Sequence, residues 1–168
     1  MPEGDRDFKG LLYNMRSILE QSEVPVIVKE TGCGMAAEQI SQMLAAGFTW
    51  FDIGGAGGTN FPAIEAKRFT SQKTVLAEWG LAAAKTLIEA FSVCNGNNII
   101  IASGGIRDGL TAAKAFALSA DAVGMAGNIL HYIMEDGVEA AQKALTEMIT
   151  DLRMIMLLTG CSNLKALR

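Results

Sequence analysis

The chain has 168 residues, of which half are hydrophobic and 7% aromatic, and its formal net charge is −4. This length fits a single domain over residues 1–168, and an acidic balance without a polybasic block argues against a nucleic-acid partner. No apolar run reaches the roughly 18 residues of a membrane helix, and the amino-terminal residues lack a signal-peptide core. Cys33, Cys94 and Cys161 show no paired spacing, so we expect reduced thiols, no membrane association and a cytoplasmic location.

Predicted strands and helices alternate along the chain. A leading helix carries apolar residues at helical spacing between Leu11 and Leu19, and a strand-then-helix pattern then occurs four times. The predicted strands are 24–30, 48–53, 99–102 and 122–125. The predicted helices that follow are 36–46, a short 62–68, 76–94, 111–119, 128–134 and 137–158. Residues 1–8 and 69–74 are polar, and we expect residues 165–168 to be a frayed end. This alternation predicts a parallel α/β sheet with right-handed crossovers.

A polar or glycine-rich feature follows each predicted strand. Lys29 ends the first strand, residues 54–59 with four glycines in five positions follow the second, residues 103–107 follow the third, and 126–127 follow the fourth. Ligands of parallel α/β proteins bind at the carboxyl ends of the strands. The convergence of four such features on one edge therefore predicts a binding site there.

Residues 103–107, Ser-Gly-Gly-Ile-Arg, have the composition of a phosphate cradle. Two glycines let the backbone approach a ligand closely, Arg107 supplies a cation, and a helix begins just beyond. One such turn is equally consistent with a β-to-α connection that binds nothing. The glycines of 54–58 indicate either unusual backbone dihedrals or contact with a ligand.

The number of units raises the question of architecture. A complete (β/α)8 barrel needs about 250 residues, whereas four βα units form either an open four-stranded sheet or half of a barrel. Barrels place phosphate sites after their last two strands, as here, which favours the C-terminal half of a (β/α)8 TIM barrel. A half barrel leaves two strand edges and an apolar inner face uncovered. We therefore expect the isolated chain to associate with itself or with its missing half.

These motifs resemble the C-terminal half of type 2 isopentenyl-diphosphate isomerase, an FMN-dependent family, over nearly the whole chain. The resemblance is carried by residues 25–30 (Pro-Val-Ile-Val-Lys-Glu), 57–65 (Gly-Gly-Thr-Asn-Phe-Pro-Ala-Ile-Glu) with Arg68, 78–80 (Glu-Trp-Gly), 103–107 and 124–127 (Gly-Met-Ala-Gly). The 57–65 motif is the most specific, since similar phosphate loops occur in many FMN barrels, such as the 2-hydroxy-acid oxidases.

The resemblance implies a homo-oligomeric barrel that interconverts isopentenyl and dimethylallyl diphosphate, with reduced FMN, NADPH to keep it reduced, and Mg²⁺. It implies that Lys29 contacts the flavin ring and offsets negative charge on its N1/O2 side, and that Thr59 hydrogen-bonds FMN. The residues implied to hold the FMN phosphate, mainly through backbone N–H groups, are Gly105, Ile106, Arg107, Ala126 and Gly127.

The chain also departs from that family. The Arg-Lys diphosphate clamp and the Gln-Glu pair, whose Glu binds Mg²⁺, belong to the family's N-terminal half, so we expect this chain alone to bind FMN weakly or not at all and not to turn over. Gly54 stands where many members have Ser, and Ala82-Ala83 where they have Pro-Thr. Glu30 and Asp52 are either metal ligands or ordinary carboxylates bonded to backbone or water.

Two other functions are weighed against this one. An FMN barrel acting on 2-hydroxy acids is expected to show a histidine followed by an arginine near the start of the third strand; residues 95–98 read Asn-Gly-Asn-Asn, without histidine, which argues against that function. A non-catalytic half barrel that serves as an association module is the other.

Overall fold

The computed structural model describes residues 7–69 and 75–168; the predicted polar stretches at 1–6 and 70–74 lie outside them. Strands β1 (Ile27–Lys29), β2 (Trp50–Asp52), β3 (Ile99–Ala102) and β4 (Ala122–Val123) form one parallel sheet in the order β1-β2-β3-β4. The helices are α1 (Leu11–Gln21), α2 (Ala37–Ala45), α3 (Phe61–Phe69), α4 (Ala83–Val93), α5 (Gly109–Ala117) and α6 (Gly127–Leu158), with 3₁₀ turns at Val75–Glu78 and Leu164–Leu167. The four parallel βα units are confirmed.

The two faces of the sheet have different surroundings, because side chains alternate along each strand. Val28, Phe51 and Ile100 are aligned in register, are buried, and belong to one core cluster with apolar side chains of α2, α4 and α5. Ile27, aligned with Trp50 on the other face, is 43% exposed. The helices thus cover one face, and the other is the apolar inner face expected of a half barrel.

The predicted helix 76–94 is interrupted. A 3₁₀ turn ends at Glu78 and α4 begins at Ala83. Between them Leu81 N–H donates to Cys33 O at 2.7 Å, its carbonyl accepts from Ala56 N–H at 2.7 Å, and Ala82 bridges to Ala56. Hydrogen bonds to two other loops replace those of a helix here, which local spacing could not indicate.

The carboxyl-terminal residues are ordered, so the predicted frayed end is wrong. Leu164–Leu167 forms a 3₁₀ turn, and Arg168 donates to Ala120 O at 3.1 Å and to Asp121 Oδ1 at 2.5 Å. Asp121 Oδ2 accepts from Ile100 N–H at 2.9 Å. These contacts attach the last turn to the amino end of the sheet.

Helix α6 contains a break where two separate helices are predicted. Gly137 has φ 85° and ψ 178°, outside the helical region, and divides the helix into two segments. The predicted boundary is therefore correct in place. Strands β1, β2 and β4 are shorter than predicted. None of the described helices is both long enough and apolar enough to span a bilayer.

Candidate functional site

The four strands end at a cavity of about 760 Å³. Every residue singled out as cofactor-binding from the sequence lines it: Lys29, Thr59, Gly105, Ile106, Arg107, Ala126 and Gly127. They come from the loops after all four strands, so the parallel topology alone brings them to one edge. Further lining residues include Glu30, Asp52, Phe61 and Ser103.

Asp52 joins three neighbouring segments at the floor of this cavity. Its Oδ2 lies 2.7 Å from Lys29 Nζ, in the register that aligns the ends of β1 and β2. Its Oδ1 accepts from the Ser103 hydroxyl, just beyond β3, and from Gly54 N–H at 3.3 Å. The Lys29 side chain is 58% exposed and that of Asp52 only 14%, so the carboxylate is the fixed member of the pair.

Glu30 is engaged by backbone. Its Oε2 accepts N–H groups from Gly32, Cys33 and Gly34 at 2.5, 2.6 and 2.9 Å. These bonds fold the loop after β1 back onto the strand end, beside the cavity. Of the two outcomes considered from the sequence, Glu30 shows the backbone-bonded one, and the described residues contain no cluster of three potential metal ligands.

Cys33 lies in the same loop but is not among the residues lining the cavity. Burial, and secondarily the charge of Glu30, raises the pKa of the Cys33 thiol, so the thiol is protonated at neutral pH. All three cysteines are unpaired in the structure.

The glycine loops after β2 and β3 pack against each other. A Cβ on Gly104, at φ 89°, would overlap the carbonyl oxygen of Gly55, and one on Gly105 would approach the Gly57 backbone to 3.1 Å. Gly54 has φ 46°, and a Cβ there would overlap the carbonyl oxygen of Glu30. Close loop packing therefore requires these glycines.

Arg107 contributes its side chain to the cavity. Its guanidinium donates to Gly57 O at 3.2 Å, whereas its backbone N–H donates to Thr111 Oγ1 at 3.0 Å. Asp108 caps α5 by accepting from Thr111 N–H at 2.7 Å, and this bond lowers the pKa of the Asp108 carboxyl. An anion here would therefore meet the Arg107 guanidinium rather than its backbone N–H.

The first turn of α6 borders the opposite side of the cavity. Ala126 occupies the N-cap position without a side-chain capping bond, and a Cβ on Gly127 would meet nothing within 4 Å. Helix N-termini carry unpaired N–H groups and a partial positive charge. Together with Arg107 and the turn after β3, this geometry suits a phosphate.

Asp52 and Ser103 were not among the seven residues assigned to the cofactor from the sequence, although Ser103 belongs to the predicted cradle at 103–107 and Asp52 was considered as a metal ligand. Asp52 is the last residue of β2, aligned with Lys29 at the end of β1, and Ser103 is the first residue after β3. Their position at the carboxyl ends of neighbouring strands was the available signal. His131, the single histidine, lies away from the cavity on α6, 3.1 Å from Glu135.

Comparisons with known proteins agree with this fold and site. The family model described as FMN-dependent dehydrogenase matches residues 12–168, and the chain belongs to that family. A relative from Geobacillus sp. named isopentenyl-diphosphate delta-isomerase is 44% identical, over 100% of this chain and 48% of the relative. A relative of the same name from Moorella thermoacetica is 44% identical, over 96% of this chain and 46% of the relative. The chain thus spans about half the length of these relatives.

Solved structures of mandelate oxidase share the fold. Those described with 3,3-difluoro-2-hydroxy-3-phenylpropionic acid and with benzoyl-formic acid superpose with a TM-score of 0.70, at 20% identity. They cover 94% of this chain and 42% and 41% of theirs. The chain therefore has the fold of half of an α/β barrel of this class, and the low identity supports no more than the fold.

Proposed function

We propose that the cavity binds FMN and that the chain is the FMN-binding half of an isopentenyl-diphosphate isomerase. The observation that carries this proposal is the single cavity lined by all seven residues singled out from the sequence. The 44% identity to relatives of that name, over the full chain, supports the choice of reaction.

The phosphate of FMN fits the end of the cavity between the turn after β3 and the start of α6. Gly105 and Ile106 line it with backbone, Arg107 offers its guanidinium, and the uncapped first turn at Ala126 and Gly127 offers N–H groups. Added side chains at the glycines after β3 would collide with the neighbouring loop. The residues present therefore fit a bound phosphate.

The ring of FMN fits the other end, near Lys29 and Thr59. Bound reduced FMN would supply the electron-rich ring on which the isomerisation depends. Lys29 places an ammonium there to offset negative charge on the N1/O2 side, and Thr59 offers a hydroxyl from the glycine loop. The half of the barrel that the relatives contain beyond this match would supply the diphosphate clamp and the Mg²⁺ ligand, with NADPH keeping the flavin reduced.

A 2-hydroxy-acid oxidase is the second candidate considered. The residues weighed against it, 95–98, lie at the amino end of β3, away from the cavity, so they do not bear on this choice. Sequence identity favours the isomerase instead: the isomerase relatives match at 44%, and the mandelate oxidases at 20%. We retain the isomerase, in a cytoplasmic homo-oligomer.

Titration of the chain with FMN, read by flavin fluorescence and by melting temperature, tests the proposed site. We expect weak but saturable binding that Arg107→Ala weakens by about tenfold, because a charge-assisted contact to phosphate contributes about 1.5 kcal/mol or more. Arg16→Ala is the matched control, since Arg16 pairs with Glu20 on exposed α1. Equal loss of affinity in both variants would refute the proposal, as would absence of saturable binding when the chain is assembled with the complementary half of an isomerase relative.

Turnover of isopentenyl diphosphate tests the reaction separately. We expect no turnover from this chain, and recovery of turnover when it is co-expressed with the complementary half of an isomerase relative.

Sedimentation tests whether the open face of the sheet causes association. A monodisperse monomer that binds no apolar dye would contradict the expected association.

A further inference from the structure

Asp52 is held from three sides at the end of the sheet. Lys29 reaches its Oδ2 from β1, and the Ser103 hydroxyl and Gly54 N–H reach its Oδ1 from the segments after β3 and β2. Gly124, just beyond β4, would place a Cβ 3.2 Å from that of Ser103, so the segment after β4 packs against Ser103. These contacts thus restrict the position of the Asp52 carboxylate, and the ammonium at the end of the longer Lys29 side chain binds to it.

One ion pair lies among the charged side chains around the cavity. The charged residues among its described lining are Lys29, Glu30, Asp52 and Arg107. The Glu30 carboxylate accepts three backbone N–H groups of its own loop, and Arg107 lies at the proposed phosphate end against Gly57 O. At the ring end, the Lys29 ammonium is accompanied 2.7 Å away by the Asp52 carboxylate. A ligand there meets an ion pair rather than a lone cation.

We propose that Asp52 is a positioning residue of this site, which holds the Lys29 ammonium at the ring end of the cavity and cancels most of its charge. The pair, and not Lys29 alone, then determines how strongly negative charge on a bound flavin is stabilised. The identity of the ligand rests on the proposed function, whereas the pairing of the two side chains does not.

Charge variants separate this arrangement from an isolated lysine. Reduction increases negative charge on the N1/O2 side of flavin, which a nearby cation favours and a nearby anion opposes. Asp52→Asn leaves one positive charge at the ring end, Lys29→Met leaves one negative charge, and the double variant leaves neither. We therefore expect the reduction potential of bound FMN to increase in the order Lys29→Met, then native and double variant together, then Asp52→Asn.

Anaerobic dye-equilibrated titration of the FMN-loaded chain, followed by flavin absorbance, measures this order. Asp121→Asn is the matched control, because Asp121 also pairs with a cation and a backbone N–H, but at the amino end of the sheet. Its potential should equal the native value. The proposal is overturned if Asp52→Asn leaves the potential unchanged, or if the double variant behaves like Lys29→Met.

A ligand-free measurement tests the pairing itself. Lys29 is acetylated with a limiting reagent and quantified by peptide mass spectrometry, with Lys143 on α6 as internal reference. Because the Lys29 side chain must leave Asp52 and release a proton to solvent before its amine reacts, we expect Asp52→Asn to speed modification about two- to fivefold, the range of a partly exposed pair, and Asp121→Asn to leave it unchanged. An unchanged rate in Asp52→Asn overturns the proposal, whereas failure of the native chain to bind FMN overturns only the proposed function.

Discussion

The two ends of the parallel sheet each hold a hydrogen-bonded aspartate, and the two have different partners. At the amino end Asp121 binds Arg168 and Ile100 N–H, both parts of the fold, and it is not among the residues that line the cavity at the carboxyl end. At the carboxyl end Asp52 binds Lys29 and Ser103 on the floor of a cavity of about 760 Å³. In parallel α/β proteins the first end generally serves stability and the second serves ligands. Substitutions at the two ends should therefore separate unfolding from binding.

The largest effect is expected from Gly104→Ala at the carboxyl end. An added Cβ would overlap the Gly55 carbonyl at a backbone φ of 89°, so the two glycine loops must separate. We expect a loss of about 2–3 kcal/mol in unfolding free energy, measured by urea denaturation, together with loss of FMN binding. Gly96→Ala, where a Cβ meets nothing within 4 Å, is the control; comparable losses in both would contradict the proposed loop packing.

Arg168→Ala at the amino end should lower stability without changing ligand binding. It removes the guanidinium contacts to Ala120 O and Asp121, and because both side chains are partly exposed we expect about 1 kcal/mol. Thermal unfolding measures the loss, and FMN titration should give the native affinity. A weakened affinity would show that the two ends are not independent.

Asp108→Ala should act at the carboxyl end through the cap of α5. Loss of the bond from Thr111 N–H should cost about 1 kcal/mol. Because Thr111 Oγ1 also accepts the Arg107 N–H, FMN affinity should fall as well, although less than in Arg107→Ala. Asp108→Asn keeps a capping oxygen and should therefore restore most of the stability and most of the FMN affinity.

The smallest effect is a pH dependence of the same cap. Hydrogen bonding from Thr111 lowers the pKa of Asp108 in the folded chain, so its stabilising contribution is present above the ordinary aspartate pKa and is lost as pH falls through the lowered value. The stability difference between native chain and Asp108→Ala should shrink below about pH 4. A difference that stays constant from pH 7 into the acid range would show that the ionised carboxylate contributes nothing.

Local signals in the sequence were sufficient for the framework and insufficient for its details. The strand at Ile99–Ala102 and the site at its end follow from an apolar run that glycines terminate, which is information within a dozen residues. The start of α4 depends on Cys33 and Ala56, and the ordered end depends on Asp121, 47 positions before Arg168. Such distant partners leave no mark on local spacing.

The site shows the same division. Lys29, Thr59 and the segments at 105–107 and 126–127 could be predicted to share one site because each lies at or after the end of a predicted strand and matches a family motif. The roles of Asp52 and of the Arg107 backbone depend on which of several hydrogen-bond partners lies nearest, Ser103 in one case and Thr111 in the other. Only the three-dimensional structure distinguishes between such partners.

The break at Gly137 allows one helix to meet two separate demands. The part of α6 beyond it packs on α5, where Gly109 would place a Cβ 2.7 Å from Leu152 N, while the part before it begins beside the cavity. Because the kink separates the two segments, the first can begin at the cavity in a direction that differs from that of the segment packed on α5. Substitutions that shift the part of α6 packed on α5 therefore need not reorient the part that borders the cavity.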